Sequence, residues 1–256
     1  MENEGGASPA YPIESVDNAL RLLIMLQEQS SIRVADAGEL LGVARSTAHR
    51  LLAMLQFHGF VTQDLNTRAY GPGPRLIEIG LGAVRDMDVR TVGLRPIERL
   101  SRELEETVHI AIRVGAEVLF VAGFESTHAL RAADRTGWRL PVTATAAGKA
   151  ILSQMDPDEV RQIVPDQLPE LTAATITKWP ELENELDEAR RQGYATNFGE
   201  SERDIVAVAA PILDPSQRVR GSVTVTSPST RADRAWVRRV VQPTIATASE
   251  IGAQLG

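Results

Sequence analysis

The sequence predicts an α+β chain in which an N-terminal winged helix-turn-helix precedes a larger domain built on an antiparallel sheet. Two short amphipathic segments, Ala35–Leu41 and Ala44–Gln56, are separated by a turn at Gly42, the spacing of a helix-turn-helix. The turn Asp64–Arg68 lies between two short apolar segments and predicts a β-wing. From Val108 onwards the apolar residues alternate with the period of strands.

Length and composition limit the class of protein. The chain has 256 residues, enough for two ordinary domains. It has no cysteine, which excludes disulfides, thiolate metal sites and cysteine nucleophiles. Residues 1–12 lack the apolar core of a signal peptide, and no run of about 18 apolar residues predicts a membrane span. We therefore expect a disordered tail at 1–12 and a cytoplasmic protein without a membrane partner.

The charge distribution points to a more specific partner than the net charge does. A net charge of -7 argues against unspecific coating of nucleic acids. Between Leu40 and Gln63, however, there is no Asp or Glu, whereas two arginines and two histidines are present. A locally basic helix in an acidic chain is what selective DNA contact requires. An acid-free stretch of this length also arises by chance.

The first domain is expected at residues 13–73. Ser15 is the expected N-cap of a first helix that ends near Gln29. In the second helix of the helix-turn-helix, the apolar positions at helical spacing (Ala48, Leu51, Leu52 and Leu55) face inward. The polar residues near the start of that helix then face outward and carry donors for base edges and phosphates.

The predicted DNA-binding residues are Arg45, Ser46, Thr47, His49 and Arg50 on the helix and Arg68 in the wing. The alternative is that Ser46 and Thr47 merely cap the helix and the arginines form a solvated surface. The position within a two-helix, one-wing pattern favours DNA contact.

The breaker cluster Gly71–Pro74 marks the expected domain edge. A helix from Pro74 to about Asp88 follows, and residues 74–92 are assigned as a linker helix. Gly93 is expected to interrupt it. The second domain is assigned to residues 93–256 and opens with a helix at Leu94–Glu106.

The second domain alternates strand and helix patterns. A hairpin is expected at His109–Val114 and Val118–Phe124, and further strands at Ala129–Ala132, Ile205–Ile212 and Gly221–Thr226. Helices are expected at Thr145–Gln154, after the N-cap Asp156, at Pro180–Arg191 before Gly193, and from the N-cap Asp233 to about Gln254. This composition predicts an antiparallel sheet with helices packed beside it.

Several motifs, in one order, resemble those of the IclR family of bacterial transcription regulators. They are SVDNALRLL, RSTAHRLLAMLQFHGFV and AYGPGPRLIEIG in the first part, and LPVTATAAGKAIL, RRQGYATNF, VAAPILD and GSVTVTSPSTR in the second. The resemblance covers nearly the whole chain from Ser15. It implies a winged helix-turn-helix joined by a helix to an effector-binding domain with a GAF-like sheet. It also implies a homodimer or homotetramer (a dimer of dimers) that binds a palindromic operator in double-stranded DNA.

A candidate effector site lies around Thr143–Lys149. Small residues there let a ligand approach the backbone, and a helix beginning at Thr145 or Ala146 would offer free N–H groups to an anion. Thr224 and Thr226 share one face of a strand. Taken alone, these residues also fit a helix cap and ordinary strand threonines. The resemblance implies an effector pocket, and the predicted set is Thr145, Ala146, Ala147, Gly148, Asn197, Ala207, Thr224 and Thr226, with Leu140 and Ala129 as the apolar wall.

The chain departs from the family pattern inside this predicted pocket. Members often carry Asp where Asn197 stands, Cys at Ala207, and Ser at Thr224 and Thr226. The changes make the pocket less acidic and more apolar. The expected effector is a small organic acid, larger than the two- or three-carbon acids that some members bind. Aromatic acids are among the acids of this size.

An enzyme acting on a small organic acid, with an N-terminal domain that only oligomerises, is the alternative function. It would need a catalytic constellation, and the sequence suggests none. Gly148-Lys149 lacks the other residues of a phosphate-binding loop. A zinc site built from His109 and His128 is less favoured than core or solvated histidines. We therefore expect a regulator without catalytic residues, metal or cofactor.

Overall fold

The computed structural model describes the backbone of residues 11–85 and 88–255. The chain folds into two compact units, Met1–Asp86 and Met87–Gly256. The boundary between them falls inside the segment predicted as a linker, 74–92. Of the tail predicted at 1–12, all but the last two residues lie outside the described residues.

The N-terminal unit is a bundle of three helices, followed by a two-stranded wing and a fourth helix. Its elements are α1 (Glu14–Glu28), α2 (Val34–Leu41), α3 (Arg45–Phe57), β1 (Val61–Gln63), β2 (Tyr70–Pro72) and α4 (Pro74–Arg85). β1 and β2 pair antiparallel. Gly42 ends α2 in the left-handed conformation with φ 67°, which confirms the predicted helix stop. A Cβ on Gly38 would lie 3.2 Å from the Val43 carbonyl oxygen, so α2 and the turn after it pack closely.

The predicted N-cap of the first helix is wrong. The carbonyl oxygen of Ile13 accepts the backbone N–H groups of Val16 and Asp17, so α1 begins at Glu14, before Ser15. Sequence analysis also missed a bridge between Ile32 and Tyr70, whose backbone groups exchange two hydrogen bonds. This bridge attaches the wing to the connection between α1 and α2.

The C-terminal unit is an antiparallel sheet with helices on both faces. Its elements are α5 (Asp88–Leu104), β3 (Thr107–Val114), β4 (Glu117–Phe124), β5 (Arg139–Pro141), α6 (Ala146–Leu152), α7 (Pro157–Ile163), α8 (Trp179–Gln192), β6 (Ala195–Phe198), β7 (Ile205–Leu213), β8 (Val219–Pro228) and α9 (Arg234–Gly252). The strand order is β5-β4-β3-β8-β7-β6. The predicted α+β fold is confirmed, as are the caps of α7 and α9 at Asp156 and Asp233.

The two faces of this sheet differ in chemistry because side chains alternate along each strand. One face carries valines and isoleucines of β3, β7 and β8 and packs against α5 and α9. The other face carries small and polar residues, among them Ala207, Ala209, Thr224 and Thr226, and packs against α6. The small residues leave space between the sheet and α6, and that space holds the site described below.

The predicted helix break at Gly93 is wrong, because α5 continues through this residue. A Cβ at Gly93 would lie 2.2 Å from Cδ1 of Ile110 and 3.3 Å from Cδ1 of Ile251. The missing side chain lets α5 approach the sheet and α9, and this packing offsets the low helix propensity of glycine.

The predicted strand at Ala129–Ala132 is also wrong. The segment between β4 and β5 has no regular structure, and the Thr107 hydroxyl donates to the Ala132 carbonyl oxygen at 2.7 Å. The strand that pairs with β4 is instead β5. Sequence analysis missed β5 and β6, which have three and four residues and are too short to show a period.

No helix within the described residues is both long and apolar enough to cross a lipid bilayer.

A buried carboxylate, Glu106, ties three elements together just before β3. Its Oε1 accepts hydrogen bonds from the Ser227 hydroxyl at 3.0 Å and from Nε1 of Trp236 at 2.9 Å. The guanidinium of Arg231 donates to both carboxylate oxygens, at 3.1 and 2.7 Å. The start of β3, the end of β8 and the start of α9 are therefore held by one acceptor group.

Replacing this carboxylate is expected to destabilise the C-terminal unit. Glu106→Ala removes an acceptor from a guanidinium and an indole at once, and we expect a loss of about 3–5 kcal/mol in the free energy of unfolding. Glu117→Ala, at an exposed ion pair with Arg139, should cost less than about 1 kcal/mol. Urea unfolding of both variants measures the difference, and equal losses would contradict this role of Glu106.

Candidate functional site

The first candidate surface is the start of α3. Arg45, Ser46, Thr47, His49 and Arg50 are all exposed, whereas Ala48, Leu52 and Leu55 of the same helix are buried. The amphipathic pattern thus places the five predicted residues on the open side of the helix. No acidic residue lies in the first turn, so the positive end of the helix dipole is not neutralised locally.

The structure does not support the alternative that Ser46 and Thr47 cap this helix. The N-cap is Ala44, which has no side-chain capping bond, and its carbonyl oxygen accepts the N–H groups of Thr47 and Ala48. Ser46 and Thr47 lie two and three residues beyond this N-cap and are exposed. They are therefore placed to contact a partner.

The wing carries the sixth predicted residue in an ordered turn. The Asp64 carboxylate accepts the N–H groups of Asn66 at 2.8 Å and Thr67 at 2.7 Å. The bonds from Thr67 and Asn66 hold the pKa of Asp64 below its usual range. Arg68 follows with φ 58°, a left-handed conformation, and its N–H donates to the Asp64 carbonyl oxygen. The exposed Arg68 side chain is thus carried by a hydrogen-bonded turn.

The second candidate site is a cleft on the small, polar face of the C-terminal sheet. It encloses about 320 Å³ of space between atoms, counted out to its open mouth. It brings together seven of the ten predicted effector residues: Thr145, Ala146, Ala147, Asn197, Ala207, Thr224 and Thr226. Strand register explains why residues so distant in sequence meet, because Asn197 on β6 pairs with Ala207 on β7, which pairs with Thr226 on β8.

Three predicted residues do not line the cleft. A Cβ on Gly148 would lie 1.9 Å from the Val142 carbonyl oxygen, so this glycine is required by the packing of α6. Leu140 packs on the apolar cluster around Val118 and Ile151. Ala129 is exposed in the segment between β4 and β5.

Sequence analysis missed five residues that line the cleft: His109, Phe120, Arg135, Ser201 and Ile205. A signal existed for His109, because it pairs with Thr224 and shares the strand phase of Ala111, opposite to Val108 and Ile110. Arg135 and Ser201 lie outside regular elements, where the sequence has no period to indicate their direction.

Two buried polar atoms of the cleft have no hydrogen-bond partner, His109 Nδ1 and Thr224 Oγ1. The other ring nitrogen, Nε2 of His109, accepts the backbone N–H of Arg135 at 3.1 Å. The same Nε2 lies 3.3 Å from Oδ1 of Asp134, and the hydrogen bond with His109 is the main cause that lowers the pKa of that carboxyl. The Asp134 contact requires the ring hydrogen on Nε2, whereas the Arg135 contact requires it on Nδ1, so the two contacts favour opposite tautomers. His128 was the other histidine of the zinc site considered from the sequence. Its side chain is half exposed, and its Nε2 lies 3.9 Å from Oε2 of Glu105.

The amide of Asn197 is engaged with the backbone on both sides. Its Nδ2 donates to the Ala144 carbonyl oxygen at 2.6 Å, and its Oδ1 accepts the N–H of Glu200 at 3.1 Å. An aspartate has no N–H donor for Ala144. Asparagine at this position therefore joins the segment before α6 to the loop after β6.

Behind the cleft lies a buried charge network that sequence analysis did not detect. Lys149 of α6 is fully buried, and its Nζ donates to both carboxylate oxygens of Glu200 at 2.7 and 2.9 Å and to Glu185 of α8 at 3.0 Å. Burial raises the pKa of Glu200 above its usual value, and the Lys149 ammonium opposes that rise. The network fixes α6, α8 and the loop after β6 to one another.

Comparisons with known proteins match both parts of the chain to one family. The family model of the bacterial transcriptional regulator IclR C-terminal domain matches residues 81–253, and that of the IclR helix-turn-helix domain matches residues 15–65. The HTH-type transcriptional regulator XynR of Escherichia coli (strain K12) is 32% identical over 225 residues, which are 87% of this chain and 89% of XynR.

Solved structures share the fold. A transcriptional regulator of Alicyclobacillus acidocaldarius superposes with a TM-score of 0.83 and 27% identity, covering 96% of this chain and 100% of that one. A homologue from Microbacterium hydrocarbonoxydans, solved in complex with 4-hydroxybenzoate, superposes with a TM-score of 0.82 and 23% identity, covering 94% and 98% of the two chains.

Replacing the buried ammonium is expected to destabilise the chain in a pH-dependent manner. Lys149→Met leaves the Glu200 carboxyl buried without its cation, which raises the folded-state pKa further. A carboxyl with a raised folded-state pKa costs stability as pH rises above its unfolded value, 4.5. The loss in unfolding free energy should therefore be about 3–5 kcal/mol at neutral pH and smaller near about pH 5.

Urea unfolding at the two pH values measures this dependence. Lys178→Met, at an exposed pair with Glu181, is the matched control and should cost less than about 1 kcal/mol at either pH. A loss for Lys149→Met that does not vary with pH would show that the charge of Glu200 is not the cause.

Proposed function

Because this chain belongs to the IclR family of bacterial transcriptional regulators, we propose that it binds a palindromic operator as a dimer or dimer of dimers, and that a small organic acid in the cleft regulates this binding. Like its relatives, the chain is a DNA-binding transcriptional regulator and not an enzyme. The enzyme considered as an alternative on sequence is therefore set aside. The proposed place of action is the cytoplasm, where bacterial DNA lies.

The observation that carries the proposal is the exposed, acid-free start of α3. Its arginine, histidine and hydroxyl side chains supply donors for base edges in the major groove and for phosphates. The N-terminal residues of a recognition helix are those that contact bases in helix-turn-helix proteins. Arg68, held in the wing turn, is assigned to a phosphate.

An apolar row on α1 supports oligomerisation. Ile13, Val16, Leu20 and Ile24 recur at helical spacing and are each at least half exposed, on the side opposite to the buried Leu22 and Leu26. A contiguous apolar row of this kind marks an interaction surface. We assign it to a second copy of the chain, because a palindromic operator presents two half-sites about 34–36 Å apart.

The cleft supports a small organic acid as the effector. Its lining combines apolar side chains with a few polar groups, as ligand pockets do. Phe120, Ile205 and three alanines supply an apolar wall, and Arg135 supplies a cation. The structurally similar Microbacterium homologue was solved with 4-hydroxybenzoate, so aromatic acids belong among the probes. Such an effector changes DNA affinity only if it binds one arrangement of the protein more tightly than another.

The start of α3 is tested by DNA binding. Gel shifts with fragments flanking the chain's own gene should give a specific complex. Arg50→Ala should weaken it by about 1–3 kcal/mol if Arg50 reads a base, or lower the salt slope by about 1 if it contacts a phosphate. Arg238→Ala removes another exposed arginine, from α9, and should change neither quantity.

The same gel shifts test the effector. Benzoate, 4-hydroxybenzoate and pyruvate are added to the preformed complex, and at least one acid should change its affinity. If the wild-type chain binds the flanking fragments no more tightly than unrelated DNA, the proposal that it regulates neighbouring genes is overturned. A specific complex that no acid changes would overturn only the proposed effector.

The apolar row is tested by the mass of the assembly in solution. Leu20→Glu places a charge in the middle of the row, and we expect the oligomer to dissociate towards single chains because burying an unpaired carboxylate is costly. Leu65→Glu makes the same change at an exposed leucine in the wing turn and should leave the mass unaltered. Light scattering after gel filtration gives the masses, and an unchanged mass for Leu20→Glu would assign the interface elsewhere.

A further inference from the structure

An ion pair joins one residue of the cleft lining, Arg135, to Glu202, which follows the lining residue Ser201 in sequence. Nη2 of Arg135 lies 2.7 Å from Oε1 of Glu202. Arg135 belongs to the irregular segment between β4 and β5, and Glu202 to the loop between β6 and β7. Arg135 is a lining residue of the cleft and its side chain is only 10% exposed, whereas the Glu202 side chain is 45% exposed. One partner of the pair is therefore buried and the other is largely in solvent.

Because of this asymmetry, loss of the ion pair costs Arg135 more free energy than it costs Glu202. A guanidinium cannot lose its charge in a protein, so a buried one needs an acceptor at all times. A half-exposed carboxylate gains little from its ion pair and can return to water at small cost. Any other carboxylate that reaches the guanidinium can therefore take the place of Glu202, and the planar fork of arginine can bind it through two hydrogen bonds.

The unpartnered atoms of the cleft supply a second contact for such an acid. A Cβ at Gly123 of β4 would lie 2.6 Å from Cδ2 and 3.0 Å from Nε2 of His109, so this edge of the ring faces β4. Nδ1 is on the other edge, towards β8, where Thr224 is the register partner of His109. Both unpartnered atoms, His109 Nδ1 and Thr224 Oγ1, thus belong to neighbouring strands of the cleft floor.

We propose that Arg135 is the carboxylate-binding residue of this cleft and that Glu202 is the carboxylate an entering acid replaces, while a second oxygen of the acid bonds to His109 Nδ1 and Thr224 Oγ1. The inference rests on the proposed effector site and specifies its ligand class. The ligand is a monocarboxylic acid that also carries a hydroxyl group, because a hydroxyl can either donate to His109 Nδ1 or accept from it. Neutral molecules of the same shape bind more weakly, because they leave the Arg135–Glu202 pair unchanged.

Calorimetry on the full chain tests the exchange. The probes are benzoate, 4-hydroxybenzoate, pyruvate and the neutral 4-hydroxybenzamide. Arg135→Met should lower the affinity for the bound acids by about tenfold or more, because it removes charge-assisted hydrogen bonds. Glu202→Gln should raise that affinity by about two- to fivefold, because it removes the competing carboxylate. The amide should respond to neither substitution.

The Arg139–Glu117 pair provides matched controls. It joins β5 to β4 outside the cleft with a nitrogen-to-oxygen distance of 3.3 Å, and both of its side chains are about half exposed. Arg139→Met and Glu117→Gln repeat the two chemical changes and should leave acid affinity within about twofold of wild type. Thermal unfolding of each variant without acid reports folding, and Arg135→Lys replaces Arg135→Met if the latter is unfolded.

The outcomes separate this inference from the proposed function. An acid that binds wild type and Arg135→Met equally overturns the inference and leaves the effector function standing. A Glu202→Gln variant that binds acids no more tightly than wild type overturns the exchange. If no acid binds either wild type or Glu202→Gln, the inference is overturned even where operator binding persists. If the chain binds no operator but its acid binding depends on Arg135, the proposed operator binding is overturned and the inference stands.

Discussion

The buried ammonium of Lys149 is the constraint on which the C-terminal unit depends. It is fully buried, and Glu200 and Glu185 compensate its charge from the loop after β6 and from α8. Removing an ion from water is costly, so the three groups hold one geometry or lose much of their stabilisation. Asn197 extends the same constraint to the cleft through its bonds to Ala144 and Glu200. The buried ion pairs and the Asn197 bonds therefore hold α6, α8 and the loop after β6 together beside the cleft.

The sheet separates stability from binding by the phase of its strands. Valines of β7 and β8 pack against α5 and α9 on one face, while threonines and alanines of the same strands line the cleft on the other. Alanines of α6, α8, β6 and β7 also form a small cluster of their own beside the cleft. Small side chains keep α6 close to the sheet and still leave space for a ligand, whereas large ones would fill the cleft.

Local signals made part of this fold predictable from the sequence. Asp156, Asp233 and Gly193 act through bonds to their own neighbours, so the helices next to them were located correctly. Gly93 misled the prediction because its role depends on Ile110 and Ile251, which are distant in sequence. Strand phase placed Thr224 and Thr226 together. No such rule reaches Arg135, whose loop direction is determined by tertiary bonds such as that from its N–H to His109.

The irregular segments that carry Arg135 and Glu202 can change more freely during evolution than the scaffold that holds the cleft. The scaffold around the cleft depends on strand register, on the close approach of Gly148 to Val142 and on the Lys149 network, so most replacements there carry a folding cost. Segments without regular structure tolerate substitution and insertion far better than strands do. Descendants of one ancestral protein can therefore diverge in ligand preference through these two segments, while the scaffold remains nearly unchanged.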